Sequence, residues 1–84
     1  MPNESDRLRQ QQYVKVLREV TAGDTLGPAQ DHDGAQPMRK FELSGNLYPA
    51  ALLDRMIAEK LLVVDDERGV IMASAGSSFF FKYR

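Results

Sequence analysis

The apolar residues of this 84-residue chain change their spacing at Leu61. Before that point, four apolar side chains recur at the spacing of one helix face: Leu52, Leu53, Met56 and Ile57. After it, two short apolar runs, 61–64 and 70–73, flank a five-residue loop that ends in Gly69. Such a loop between two apolar runs is typical of a β-hairpin. The pattern therefore predicts a helix over residues 47–60 that leads directly into a hairpin.

An earlier segment has the same helical spacing. Residues 6–22 place four apolar side chains within one arc of about 100°, namely Tyr13, Val16, Leu17 and Val20. Gly23 can end this helix in a left-handed conformation. The opposite face carries a basic stripe, Arg7, Lys15 and Arg18. Two interpretations of the stripe stay open, contact with phosphate groups or a solvated helix face.

Residues 24–37 are predicted to form a mobile loop, because they hold two Gly, two Pro and three Asp. Leu26 is the only large apolar side chain among them. The Asp-His-Asp triplet at residues 31–33 has no further converging ligand, so no metal site is expected. Residues 38–43 alternate between apolar and polar side chains and predict a short strand.

The last residues, 79–84, alternate in the same way. One face of an extended chain would carry Phe79, Phe81 and Tyr83. The other face would carry Phe80 and Lys82, so the alternation predicts a final strand with aromatic surface on both sides. Two interpretations of Phe80 stay open. It packs beneath the first helix, or it lies on an exposed edge strand that pairs with another chain, including a second copy in a homodimer.

These elements predict a single α+β domain over residues 1–84, with two helices packed on a three- to four-stranded antiparallel sheet. A chain of this length has room for one small core. No run approaches the roughly 20 apolar residues that span a bilayer. The polar N-terminus lacks the apolar stretch of a secretory signal. We therefore expect a cytoplasmic protein without membrane contact.

The stretch LLDRMIAEKLLVVDDERGVIMAS, residues 52–74, resembles the recognition helix and wing of winged helix-turn-helix regulators. The segment GNLYPAALLDRM, residues 45–56, is similar to the opening of the recognition helix in phenolic-acid-type repressors. The resemblance implies a small winged-helix-like domain in which residues 47–60 are the recognition helix and residues 65–69 form the tip of the wing. The chain departs from the family at Lys60, where a Gly is usual, and in the strand-like residues that replace the preceding helix.

The resemblance further implies a small transcription regulator that binds duplex DNA. Its contact residues would be Tyr48, Ala51, Arg55, Glu59 and Arg68. Arg55 would form paired hydrogen bonds with guanine, and the small Ala51 would let the helix backbone approach the groove. The alternative for this helix face is an ordinary solvated surface, because Asp54 and Glu59 repel phosphate.

A second hypothesis starts from the acidic loop of the hairpin. Three carboxylates at its tip have the wrong sign for a phosphate backbone and would suit a protein with a basic surface. In that case the chain is a protein-binding inhibitor or adaptor of the kind that phages and other mobile elements encode. Its contact residues would be Asp65, Asp66, Glu67, Phe80 and Lys82.

Composition gives little support to catalysis. The chain has one His and no Cys, which excludes a thiol nucleophile and a thiolate metal site. It has no glycine-rich phosphate loop or dinucleotide motif. With 11 basic and 12 acidic side chains, the net charge of −1 also removes the argument from a strongly basic chain. We therefore expect neither an enzyme nor a bound cofactor or metal.

Overall fold

The computed structural model describes residues 4–32, 35–67 and 69–84, and places them in three helices and five strands. The elements follow in the order α1 (Glu4–Thr21), β1 (Gln30–His32), β2 (Ala35–Lys40), β3 (Leu47–Pro49), α2 (Ala50–Ala58), β4 (Leu62–Asp65), β5 (Gly69–Met72) and α3 (Ser74–Tyr83). The predicted α+β class is confirmed. No helix among the described residues has the length and apolar character needed to cross a membrane.

The strands form two antiparallel sheets rather than the single sheet of three to four strands that was predicted. β1, β2 and β3 are adjacent in that order, with Arg39 opposite Tyr48. β4 and β5 form the predicted hairpin, with Val63 opposite Ile71. α1 packs against α3 and β5, whereas α2 packs against β2, β3 and β4. One core, with Phe41 fully buried in it, joins these elements.

The first helix buries the predicted stripe. Its core-facing side chains are Tyr13, Val16, Leu17 and, partly buried, Val20. The helix ends where the amide of Asp24 donates to the carbonyl of Glu19 at 3.1 Å and the amide of Gly23 donates to Val20 at 3.0 Å. Gly23 has φ +83°, a left-handed conformation that costs glycine little, and the predicted helix end is confirmed.

The segment predicted as a mobile loop, residues 24–37, contains regular structure. Its Leu26 is buried in the core and forms a β-bridge with Phe41. The prediction of an irregular loop is wrong for residues 30–32 and 35–37, which belong to β1 and β2. The error arises because these residues pair with strands, and local composition does not reveal strand partners. Residues 33 and 34 lie outside the described residues, so the Asp-His-Asp triplet is not described as a unit.

The second helix is shorter than predicted, because residues 47–49 extend and pair with β2 as the strand β3. Its core-facing side chains are the four that were predicted. Leu53 and Met56 are buried, and Leu52 and Ile57 are partly buried. Lys60, two residues after the end of α2, has φ +64° in the left-handed region and stops the helix. The amide of Leu61 then donates to the carbonyl of Met56 at 2.9 Å, which completes a Schellman turn into the hairpin.

The C-terminal segment is helical, so the predicted final strand over residues 79–84 is wrong. Gly76 is buried against the carbonyl oxygen of Leu61, and a methyl group at this position would overlap that oxygen. The ring of Phe79 lies 5.7 Å from the ring of Tyr13, between centroids, which fixes α3 against α1. This segment therefore offers no edge strand through which two copies of the chain could pair.

Candidate functional site

The predicted contact face of α2 is only partly present. Ala51, Arg55 and Glu59 are exposed and recur at successive turns, so they share one surface of the helix and the residue after it. Tyr48 does not join them, because it lies on β3 and is buried. Its ring packs edge-on against Phe41, with centroids 5.7 Å apart. The prediction that Tyr48 shares a helix face with these residues is therefore wrong, because a strand was taken for the start of the helix.

The unit formed by α2 and the hairpin is acidic. Its described carboxylates are Asp54, Glu59, Asp65, Asp66 and Glu67, and its described cations are Arg55 and Lys60. The backbone amide of Glu67 donates to Oδ1 of Asp65 at 2.7 Å, which orders the tip of the hairpin. Arg68, a further predicted contact residue, lies outside the described residues. The surface that a winged helix would present to DNA is negative in this chain.

A second surface is basic, and the fold creates it by packing α3 on α1. Lys15 and Arg18 are exposed on α1, and they line a groove of about 230 Å³ together with Tyr83 and Arg84 from the end of α3. Lys82 is exposed on α3 and does not line this groove; its Nζ lies 5.2 Å from the centroid of the ring of Tyr83, which does. We call these four cations, Lys15, Arg18, Lys82 and Arg84, the basic face.

The same two cations of α1 also line a second groove. This groove, about 440 Å³ in volume, is completed by Asn46, Leu47, Tyr48 and the single carboxylate of Glu19. Oε1 of Glu19 accepts a hydrogen bond from the side-chain amide of Asn46. Burial and the Glu19 carboxylate beside it raise the pKa of Tyr48 to about 12, so its hydroxyl stays protonated. Lys15 and Arg18 thus line both grooves.

The cations of the basic face form no ion pair with the carboxylates that the structure describes. Among the described side chains, an ion pair is found between Arg9 and Asp6, whose closest atoms are 3.9 Å apart on α1. No cation of the basic face takes part in such a pair within the described part of the chain. Lys15 and Arg18 line both grooves, Arg84 lines one of them, and such a concentration of cations gives this surface a positive potential.

Aromatic side chains border the basic face. Phe81 is 64% exposed, and the guanidinium carbon of Arg84 lies 4.5 Å from the centroid of its ring. Phe80, by contrast, is partly buried and packs on the core, which agrees with the first of its two predicted interpretations. The exposed aromatic residue of α3 is therefore Phe81. Lys82, Asp66 and Glu67 are exposed as the protein-binding hypothesis requires, and Asp65 is half-buried.

Sequence reasoning identified Lys15 and Arg18 as a stripe but missed their partners on α3. The signal was present, since Gly76, Phe79, Phe80 and Tyr83 are spaced at helical intervals. Residues 79–84 also fit the two-residue alternation of a strand, and this second pattern led to the wrong prediction. Once the segment is helical, Arg84 lies next to α1 rather than on a sheet edge.

Comparisons with protein-family models, with curated proteins and with solved structures find no match to this chain. The likeness of residues 52–74 to winged-helix regulators therefore stays a resemblance. A functional interpretation depends on the charge and shape of the two surfaces described above.

Proposed function

We propose that the protein is a small, non-catalytic regulatory binding protein that acts by contact with a nucleic acid, and that the basic face is its contact surface. The observation that carries the proposal is that Lys15 and Arg18 of α1 line one groove with Arg84, next to the exposed Lys82 of α3, and that none of the four forms an ion pair with a described carboxylate. Unpaired Lys and Arg side chains are the groups that hold a phosphate backbone. Their shared grooves would let successive phosphates reach different cations.

The winged-helix-like architecture belongs to the same proposal. α2 leads through the turn at Lys60 directly into the β4–β5 hairpin, in the order of a recognition helix and its wing. The five carboxylates of this unit would repel phosphate, so we place the nucleic acid on the basic face instead. Arg55 is then a surface residue rather than a reader of bases.

A protein partner at the acidic unit is the second candidate. Val63 and Val64 are 47% and 67% exposed next to the carboxylates of the hairpin tip. Exposed apolar side chains rimmed by one sign of charge are typical of a protein-binding surface, and the partner would be basic. Such a partner would leave the basic face free, so both contacts could coexist in one regulator.

The test of the first candidate is charge reversal on each surface. We expect the double variant Lys15→Glu with Arg18→Glu to weaken binding of a labelled oligonucleotide roughly tenfold or more at about 50 mM salt. The matched control, Arg55→Glu with Lys60→Glu, changes the net charge by the same amount on the other surface. We expect it to change the affinity less than about twofold, with binding by the native chain falling as salt rises.

Fluorescence anisotropy provides the measurement, and circular dichroism verifies that both double variants are folded. Equal losses in the two variants would indicate a general charge effect and contradict the proposal. An absence of binding by the native chain at low salt would also contradict it.

A further inference from the structure

We infer that the nucleic acid is single-stranded and that a base stacks on the Phe81–Arg84 pair at the border of the basic face. This inference rests on the proposed function and names the ligand class of the same site. Three observations support it: the exposure of Phe81, its contact with Arg84, and the position of Arg84 in the groove.

The exposure of Phe81 is not required by the fold. α3 turns Gly76 and Phe80 toward the core, and Phe81 lies on the opposite side of the helix. At 64% it is the most exposed of the seven aromatic side chains, all of which the structure describes. An aromatic ring in water has a free π-face, which is the surface on which unpaired bases stack.

Arg84 joins the ring to the phosphate-binding cations. Its guanidinium group lies 4.5 Å from the centroid of Phe81, and the same residue lines the groove that holds Lys15 and Arg18. A strand that runs along this groove would place its phosphates against the cations and could turn one base onto the aromatic–guanidinium pair. Guanidinium planes and aromatic rings both stack on bases that are not paired.

A duplex could use only half of this site. Its bases are already stacked inside the helix and cannot reach Phe81 without being extruded. Duplex DNA would therefore contact only the four cations, which are few for a chain with a net charge of −1. A single strand gains the stacking contact as well, and one such contact changes an affinity roughly tenfold.

The test separates stacking from charge with oligonucleotides of about 12 nucleotides. We compare oligo-dT, oligo-rU, a duplex of the same length, and an abasic strand that keeps every phosphate but lacks the bases. We expect the native chain to bind oligo-dT roughly tenfold more tightly than the abasic strand or the duplex. Comparison of oligo-dT with oligo-rU then tells whether DNA or RNA is preferred.

Three variants at one position test the role of the ring. Phe81→Ala and Phe81→Leu should lose the preference for oligo-dT over the abasic strand, because neither side chain can stack. Phe81→Tyr should retain it, because its ring is preserved. Phe81 is largely exposed, so we expect all three variants to fold.

Equal affinity of the native chain for oligo-dT, duplex and abasic strand would overturn this inference and leave the proposed function intact. An absence of binding to every oligonucleotide would overturn both. If sedimentation shows that the native chain dimerises through Phe81, and if Phe81→Ala is a monomer with unchanged affinity for oligo-dT, the exposed ring is a dimer contact and the inference is wrong.

Discussion

At the scale of single residues, Asp24 holds together two parts of the chain that are distant in sequence. Its carboxylate is buried and accepts backbone hydrogen bonds from Thr25 at 2.8 Å, Leu43 at 2.7 Å and Ser44 at 3.0 Å. Burial raises the pKa of this carboxyl, but the hydrogen bonds lower it by more, so the net pKa lies below its ordinary value of 3.8. The charged form is therefore the one that stabilises the fold.

Replacement of Asp24 by Asn should lower the free energy of unfolding by about 2 kcal/mol at neutral pH. The amide oxygen of Asn can accept only neutral hydrogen bonds from Thr25 and Leu43, and its NH2 group would face the amide of Ser44 and cannot accept from it. Because folding lowers the pKa of Asp24, its carboxylate contributes fully to the free energy of unfolding above pH 3.8. This contribution is lost as the pH falls through the pKa of Asp24 in the folded protein. Urea unfolding across this range checks both effects. Identical stability of the two proteins at neutral pH, or an identical decline in acid, would contradict this role.

Lys60 stands in a backbone conformation that suits glycine. Its φ of +64° is in the left-handed region, where a side chain costs about 1 kcal/mol. Lys60→Gly should therefore stabilise the fold by up to about 1 kcal/mol, measured by urea unfolding. Glu59→Gly is the control. Glu59 has φ −82°, a conformation that does not need glycine, so this variant should be less stable than the native protein. A loss of stability in Lys60→Gly would show that the turn is not left-handed in solution.

At the scale of elements, the docking of α3 depends on a close approach at Gly76. The amide of Ala73 donates to the carbonyl of Leu61 at 3.0 Å, and Gly76 packs on the same carbonyl oxygen. Gly76→Ala raises helix propensity but forces a methyl group into that oxygen, so we expect it to cost about 3 kcal/mol. Ser78→Ala, on the exposed side of the same helix, should be nearly neutral. Thermal unfolding distinguishes the two, and a neutral Gly76→Ala would contradict the packing of α3.

The elements that could be predicted are those whose own apolar spacing decides their structure. α1, α2 and the β4–β5 hairpin have one dominant period each, and all three form, although α2 begins at Ala50 rather than at Leu47. Residues 79–84 fit two periods, since Phe79, Phe81 and Tyr83 alternate while Phe79, Phe80 and Tyr83 are spaced as on a helix. Contact with Tyr13 on α1 decides between them, and local sequence does not contain that contact.

The residues after α1 could not be predicted for a related reason. Leu26 joins the core by pairing with Phe41, and Asp24 receives its hydrogen bonds from Leu43 and Ser44. These partners lie 15 to 20 residues away in sequence. A segment rich in Gly, Pro and Asp therefore contributes to the core because of long-range contacts that composition does not record.

At the scale of the whole molecule, folding separates charges that are mixed along the chain. Acidic side chains gather on α2 and the hairpin, while the packing of α3 brings Arg84 into one groove with Lys15 and Arg18. The part of the candidate site on α1 could be predicted from the sequence. The part on α3 could not, because it depends on how α3 packs against α1.

Backbone amide NMR during titration with oligo-dT tests most directly whether the basic face binds nucleic acid. We expect the largest shifts at the amides of Lys15, Arg18, Lys82 and Arg84, with saturation at a single-site stoichiometry. The amides of Ala51, Arg55 and Glu59 should stay within the noise. Shifts centred on α2 and the hairpin, or no shifts at any concentration of oligonucleotide, would contradict the assignment of the basic face as the binding surface.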